Sequence, residues 1–277
     1  MGLPHGGSSE LRSSPWWLRA FLLVNVVQDV GLGLSGLVFP EQFLIPLKGL
    51  TPLNARFVGS LYLGGGVVIL CAALMRRAAD TRIPLWSFFV ITVLVLGMTL
   101  AYWRDFTVGG VPKLWMLTYV VDPIVVPIAI VTLGLVRPAE PGRHRLTAIF
   151  LTQAVILGSV GIGLLIASDA VLAAWPWVID RLLARVYAAF FLAFAVGALL
   201  AAYERRPRAV QAFLAGSLAL LLFTTTTTLL HLDRFSSGPA LALWGTVHLA
   251  GLAAFGYGLA TSLRGRDSAP RLSASAP

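Results

Sequence analysis

The chain has 277 residues, 57% of them hydrophobic and only 12% charged, with a mean hydropathy of +0.83. A soluble domain carries about 25% charged residues, so this balance, with repeated apolar runs near twenty residues, excludes a soluble globular protein and predicts an all-α, polytopic membrane protein. The net charge of +9 does not signal nucleic acid, because the basic residues sit in short links between apolar runs and no basic patch interleaved with aromatics occurs. Cys71 is the single cysteine and lies within an apolar run, which excludes a disulfide and a thiolate metal cluster.

In chain order, eight spans are expected at 20–39, 56–75, 83–103, 114–136, 146–167, 183–203, 211–232 and 240–263, each covering about 30 Å of bilayer at 1.5 Å per residue. The polar tails, 1–14 and 264–277, read as disordered, and the first carries no cleavable signal. One side of the eight spans collects fourteen of the 21 basic residues, which predicts a plasma-membrane protein with both termini cytoplasmic. The eight tryptophans fall near span boundaries, as interfacial belts do.

The two halves resemble each other at an offset of 129 residues. Arg56 meets Arg185, Arg76 and Arg77 meet Arg205 and Arg206, Thr99 meets Thr228, and Trp115 meets Trp244. In the first span one extra shift aligns VGLGL at 30–34 with VGIGL at 160–164. Four spans per half is an even number, so the prediction is a tandem parallel repeat of two four-helix units, 15–137 and 138–263. Gly31, Gly33, Gly36, Gly64, Gly65, Gly66, Gly161 and Gly163 are expected at close helix approaches.

The fourth span reads YVVDPIVVP over 119–127. An ionisable Asp122 in hydrocarbon costs about 2.5–3.5 kcal/mol on the insertion scale. Pro123 and Pro127 each lack the N–H that would bond the carbonyl four residues back, which leaves the carbonyls of Tyr119 and Pro123 without their helical donors. The first span carries Asn25, Gln28 and Asp29 on one helical face. Asp29 and Asp122 fall at overlapping depths and are the expected catalytic or anchoring carboxyls. Asn25, Gln28, Arg56, Tyr119 and His248 are the expected ligand-binding groups. His248 and His231 are the second-half counterparts of Tyr119 and Tyr102. Thr224 to Thr228 form a run whose hydroxyls line a cavity or bond the helix's own carbonyls.

No hydrolase triad, zinc motif, phosphate loop or dinucleotide fingerprint occurs, and no metal or cofactor is expected. Three functions stay open. The first is an intramembrane polar chamber that binds or processes a small hydrophobic molecule, lipid or isoprenoid-like. The second is a small-molecule transporter, in one version proton-coupled, with Pro123 and Pro127 breaking the fourth span. The third is a structural or accessory membrane protein without turnover. The expected partners are the lipid bilayer and the hydrophobic ligand, with no preference for an oligomeric state.

Overall fold

The computed structural model describes residues 13–45, 50–105, 113–138, 141–236 and 238–267, and among these the regular structure is helical. Eight helices are long and apolar enough to cross a membrane. They are α1 (Trp16–Val38), α2 (Pro52–Leu74), α3 (Arg82–Ala101), α4 (Lys113–Thr132), α5 (Thr147–Ile166), α7 (Arg181–Ala202), α8 (Pro207–Leu230) and α9 (Pro239–Asp267). A short helix, α6 (Asp169–Ala174), links α5 to α7.

The eight spans match those expected, and the differences at their ends have local causes. Helix α2 starts earlier because the Thr51 hydroxyl accepts from the N–H of Asn54, with Pro52 in the first turn. The Asp180 carboxylate does the same for α7 at Leu183. Helix α4 stops at Thr132 rather than 136 because Gly134 takes φ +71° and the Leu135 N–H bonds back to the Ile130 carbonyl. The tails differ in part from expectation. Ser14 donates to the Arg76 carbonyl, and α9 continues to Asp267, while residues 1–12 and 268–277 lie outside the described residues.

Helices α2 and α7 are the most buried spans. Helix α1 packs on α2 and α5 on α7, while α8 packs on α2 and α3 on α7. Each central helix therefore touches the third span of the other half. The α1–α2 seam is a backbone contact. A Cβ on Gly59 would stand 2.7 Å from the Gly33 carbonyl oxygen and 2.8 Å from the Leu37 nitrogen, and one on Gly36 would stand 2.7 Å from the Ala55 oxygen. Gly31 and Gly65, also expected at close approaches, have no atom within 4 Å of such a Cβ.

Several contacts occur twice. Trp115 donates its indole N–H to Thr99 (3.3 Å), and Trp244 donates to Thr228 (3.0 Å). Arg56 Nε donates to the Leu37 carbonyl, and Arg185 Nε to that of Leu165, each at 3.1 Å. Gly33 faces Leu63 as Gly161 faces Leu192. Across the halves, Arg56 reaches His231 while Arg185 reaches the Tyr102 hydroxyl, and Gly216 lies against Val68 as Gly197 lies against Ser87.

Most tryptophans at the end of the bundle where α1 finishes turn inward rather than toward lipid. Trp177 is buried and forms edge contacts with Trp175 and Trp244, and Phe57 packs against Trp177 and Tyr187. Asn54, 5% exposed, accepts from both the Trp177 indole (2.7 Å) and the Tyr187 hydroxyl (3.0 Å). Trp115 is buried too, and Trp103 is the member of the expected outer belt that stays exposed. At the other end, Arg82 and Arg206, expected as solvated topology signals, are buried. Arg206 pairs with Asp80 at 3.2 Å and lies 3.6 Å from Glu204, and Arg82 donates to the Leu135 carbonyl.

Replacing Asn54 by Leu leaves two buried donors without their acceptor, at about 1–3 kcal/mol each. Thermal unfolding of Asn54→Leu in detergent is expected to show a loss on the order of 2–4 kcal/mol. A melting temperature equal to that of wild type would remove Asn54 as the fastener of this end.

Candidate functional site

Helix α1 presents Asn25, Gln28 and Asp29 at spacings of three and four, which stack them on one side. Helix α4 presents Thr118, Tyr119 and Asp122 by the same rule. These two faces line one cavity, together with Tyr62 of α2 and Ser87 and Thr92 of α3. Asp29 and Asp122, 93 residues apart in sequence, stand close enough to interact electrostatically. Asp29 is half-buried and Asp122 is 2% exposed. Gly66 makes room for Asp29, since a Cβ there would come within 3.2 Å of the aspartate's own Cβ. The remaining wall is apolar, and its aromatic part is Phe88 from α3, Phe190 and Phe194 from α7 and Phe213 from α8. The void has about 40 Å³ open to the centre of a water molecule, against roughly 10–15 Å³ for a single water.

Hydrogen bonds tie the polar wall together. Tyr62 and Tyr119, both buried, share a hydroxyl–hydroxyl bond of 2.6 Å. Thr118 donates to the Gln28 side-chain oxygen at 2.6 Å, which bridges α4 to α1. Asn25 donates to the Phe21 carbonyl at 3.1 Å and faces the Asp122 carboxyl. Two buried atoms on this wall have no partner among the described residues, Oδ2 of Asp122 and Oγ of Ser87. No cationic side chain lines the cavity.

Helices α1 and α4 flank the cavity without packing closely on each other. Helix α1 rests on α2, and α4 rests on α3. The Gln28–Thr118 bond and the Asn25–Asp122 approach are the polar links across this seam. Helix α4 is not broken at its prolines, since it runs continuously through Pro123 and Pro127. The expectation of an interrupted fourth span is therefore corrected. Packing on α3 and the N–H groups of the other residues hold the helix across the two missing bonds.

Five of the seven expected site residues meet here, namely Asn25, Gln28, Asp29, Tyr119 and Asp122. Arg56 and His248 do not. Arg56 sits at the end where α1 finishes, bonded to the Leu37 carbonyl and to His231. His248 lies between α8 and α9, where Nδ1 donates to the Trp244 carbonyl (2.9 Å) and Nε2 meets the Thr224 hydroxyl (3.1 Å). The threonine run serves helix packing. Thr227 bonds Ser60 at 2.9 Å, and Thr224, Thr226 and Thr228 donate to carbonyls four residues back. Ser87, Thr92 and the phenylalanine wall escaped the sequence reading. Thr118 had a signal, being four residues before Asp122, whereas Ser87 sits in an apolar run with no polar neighbour at helical spacing. Among the described residues no cluster of three His, Cys, Asp or Glu could hold a metal.

His231, just beyond α8, carries a pH response. Arg56 Nη1 donates to its Nε2 at 2.7 Å, so that nitrogen must be unprotonated. Burial first, and the Arg56 charge second, lower the His231 pKa from the ordinary 6.5; Asp233 opposes this and Arg234 adds to it. A depressed histidine favours folding in its neutral form, so this contribution is present above about 6.5 and lost as pH falls through the lowered value. Melting temperatures measured between pH 7.5 and 5 are expected to fall more in wild type than in His231→Gln, which keeps an acceptor for Arg56 and cannot ionise. Parallel declines in the two proteins would show that His231 is not the titrating group.

Comparison with protein-family models, with curated proteins and with solved structures finds no match for this chain.

Proposed function

We propose that this protein is an intramembrane chamber that takes the polar end of a small hydrophobic molecule from the bilayer and binds or processes it between Asp29 and Asp122. The observation that carries the proposal is the meeting of these two carboxyls in one cavity beside a loosely packed seam, α1 to α4, bridged by the Gln28–Thr118 bond. Ionisable groups are costly at this depth and mark pathways or sites when retained. The small void suits a polar head, and the seam gives an apolar tail a way to remain among lipid. Tyr62, Tyr119, Gln28 and Asn25 act as positioning groups around the head. Arg56 and His248 are left to helix anchoring.

The architecture proposed around the chamber is a tandem parallel repeat of two four-helix units, in the plasma membrane with both ends cytoplasmic. The doubled contacts support it, since Trp115 and Thr99, Arg56 and Tyr102 correspond to Trp244 and Thr228, Arg185 and His231 at the offset of 129. In the first span of each half, the contacts pair Gly33 with Gly161 and Leu37 with Leu165, an offset of 128 rather than the 130 suggested by the glycine pattern. The orientation rests on the basic-residue imbalance.

The transporter alternative loses one of its supports with the unbroken α4. It would be recovered by flux into proteoliposomes that responds to an imposed pH gradient. The direct test is mass spectrometry of the organic extract of purified protein. A specific co-purifying hydrophobic molecule is expected from wild type and is expected to be lost from Asp122→Asn at unchanged helix content. An extract with no specific molecule, together with an Asp122→Asn protein that is only less stable, would instead favour the structural role.

A further inference from the structure

We propose that the head held in this cavity is the protonated amino group of a lipophilic primary amine. This rests on the chamber reading above and names its ligand class. Four observations converge on it.

The first is charge. The wall contributes two carboxyls and no arginine, lysine or histidine. Arg56 and Arg185 are committed elsewhere, Arg56 to Leu37 and His231, and Arg185 to Leu165 and Tyr102. A pair of carboxylates in an apolar surround is neutralised by protons or matched by a cation brought from outside.

The second is the set of unmet polar atoms. Oδ2 of Asp122, on α4, is an acceptor without a donor, and Oγ of Ser87, on α3 and 9% exposed, is likewise without a partner. The neutral acceptors nearby are already served: Gln28 Oε1 by Thr118 and the Phe21 carbonyl by Asn25. The Asp122 oxygen and the Ser87 hydroxyl are thus left able to accept from a guest. An alkylammonium carries three donors and no acceptor, which suits Asp122, Ser87 and the Asp29 carboxyl.

The third is size. A void of about 40 Å³ open to water centres admits a primary ammonium, which is close to a water molecule in size. The fourth is the wall itself, where Tyr62, Phe88, Phe190 and Phe194 surround the head. Aromatic rings are surfaces to which cations are attracted when the ring face is presented.

The test uses the full-length protein in a neutral detergent at pH 7, titrated separately with dodecylamine, dodecanol and dodecanoate. Binding is read by native mass spectrometry and by thermal unfolding. Dodecylamine is expected to bind at least about tenfold more tightly than either competitor, the scale of one charge-assisted contact. Asp29→Asn and Asp122→Asn are each expected to erase that preference, and Ser87→Ala to weaken it by a smaller factor. Asp29 is only half-buried, so its variant supplies the answer if Asp122→Asn does not fold. Dodecanol or dodecanoate binding as well as dodecylamine would overturn the ammonium assignment and leave the chamber standing. Binding of none of the three would overturn the ammonium assignment and the chamber together. Stabilisation by sodium chloride over choline chloride that disappears in Asp29→Asn, with no amine preference, would assign the site to an inorganic cation and overturn the proposal.

Discussion

Hydrocarbon offers no hydrogen bonds, so each polar group this chain carries into the bilayer must find its partner within the protein. Most of the structure follows from that constraint. The hydroxyls of Thr224 and Thr228 turn back to their own helix, and that of Thr227 reaches across to Ser60. Tyrosine meets tyrosine at Tyr62 and Tyr119, and Asn54 gathers two indole and phenol donors where α2 meets α7. The charged cluster of Asp80, Glu204 and Arg206 is buried at the arginine-rich end, where each charge has an opposite beside it. Against this thorough pairing, the cavity is conspicuous because it is the place where carboxyls meet carboxyls.

The contacts that occur twice set that asymmetry in physical terms. At the offset of 129, Asp122 corresponds to Gly251 and Thr92 to Leu221. In the second half the space where a side chain would project from Gly251 is taken by Leu221, 2.7 Å from a Cβ placed there. Asn25 corresponds, at the offset of 128 that the contacts define for this span, to Gln153, which is occupied by a bond to Ser217. One half thus carries a void lined by acids, and the same position in the other is filled with leucine. The second half's contribution to the cavity is aromatic, through Phe190, Phe194 and Phe213, not through His248 or the threonines.

Much of this was readable from the residues. Apolar length and proline, threonine and glycine punctuation locate all eight spans, because hydrophobic thickness leaves little freedom in span length. The helical spacing of Asn25, Gln28 and Asp29, and the cost of Asp122, single out the two faces that meet. What periodicity does not carry is which way a boundary residue turns. Trp175, Trp177 and Trp244 lie at interfacial depth, yet they pack inward against Phe57 and Tyr187, and Arg82 and Arg206 stand at helix ends yet are buried, one on the Leu135 carbonyl and the other on Asp80 and Glu204. Depth is a one-dimensional property of the sequence, whereas facing depends on neighbours hundreds of atoms away along the chain. For the same reason Ser87 and the phenylalanine wall gave no signal.

The glycine contacts bear on how the seam beside the cavity would move. Helix α1 meets α2 at close backbone approaches around Gly36 and Gly59, with the Leu63 side chain set against Gly33. Helix α4 rests on α3 through ordinary side chains, and its two prolines leave it short of two internal bonds just where it borders the cavity. The two edges of the opening are therefore unequal, one a fixed jamb and the other a compliant leaf. A widening that admits a guest would fall on α4, where Pro123 stands one residue from the Asp122 carboxyl.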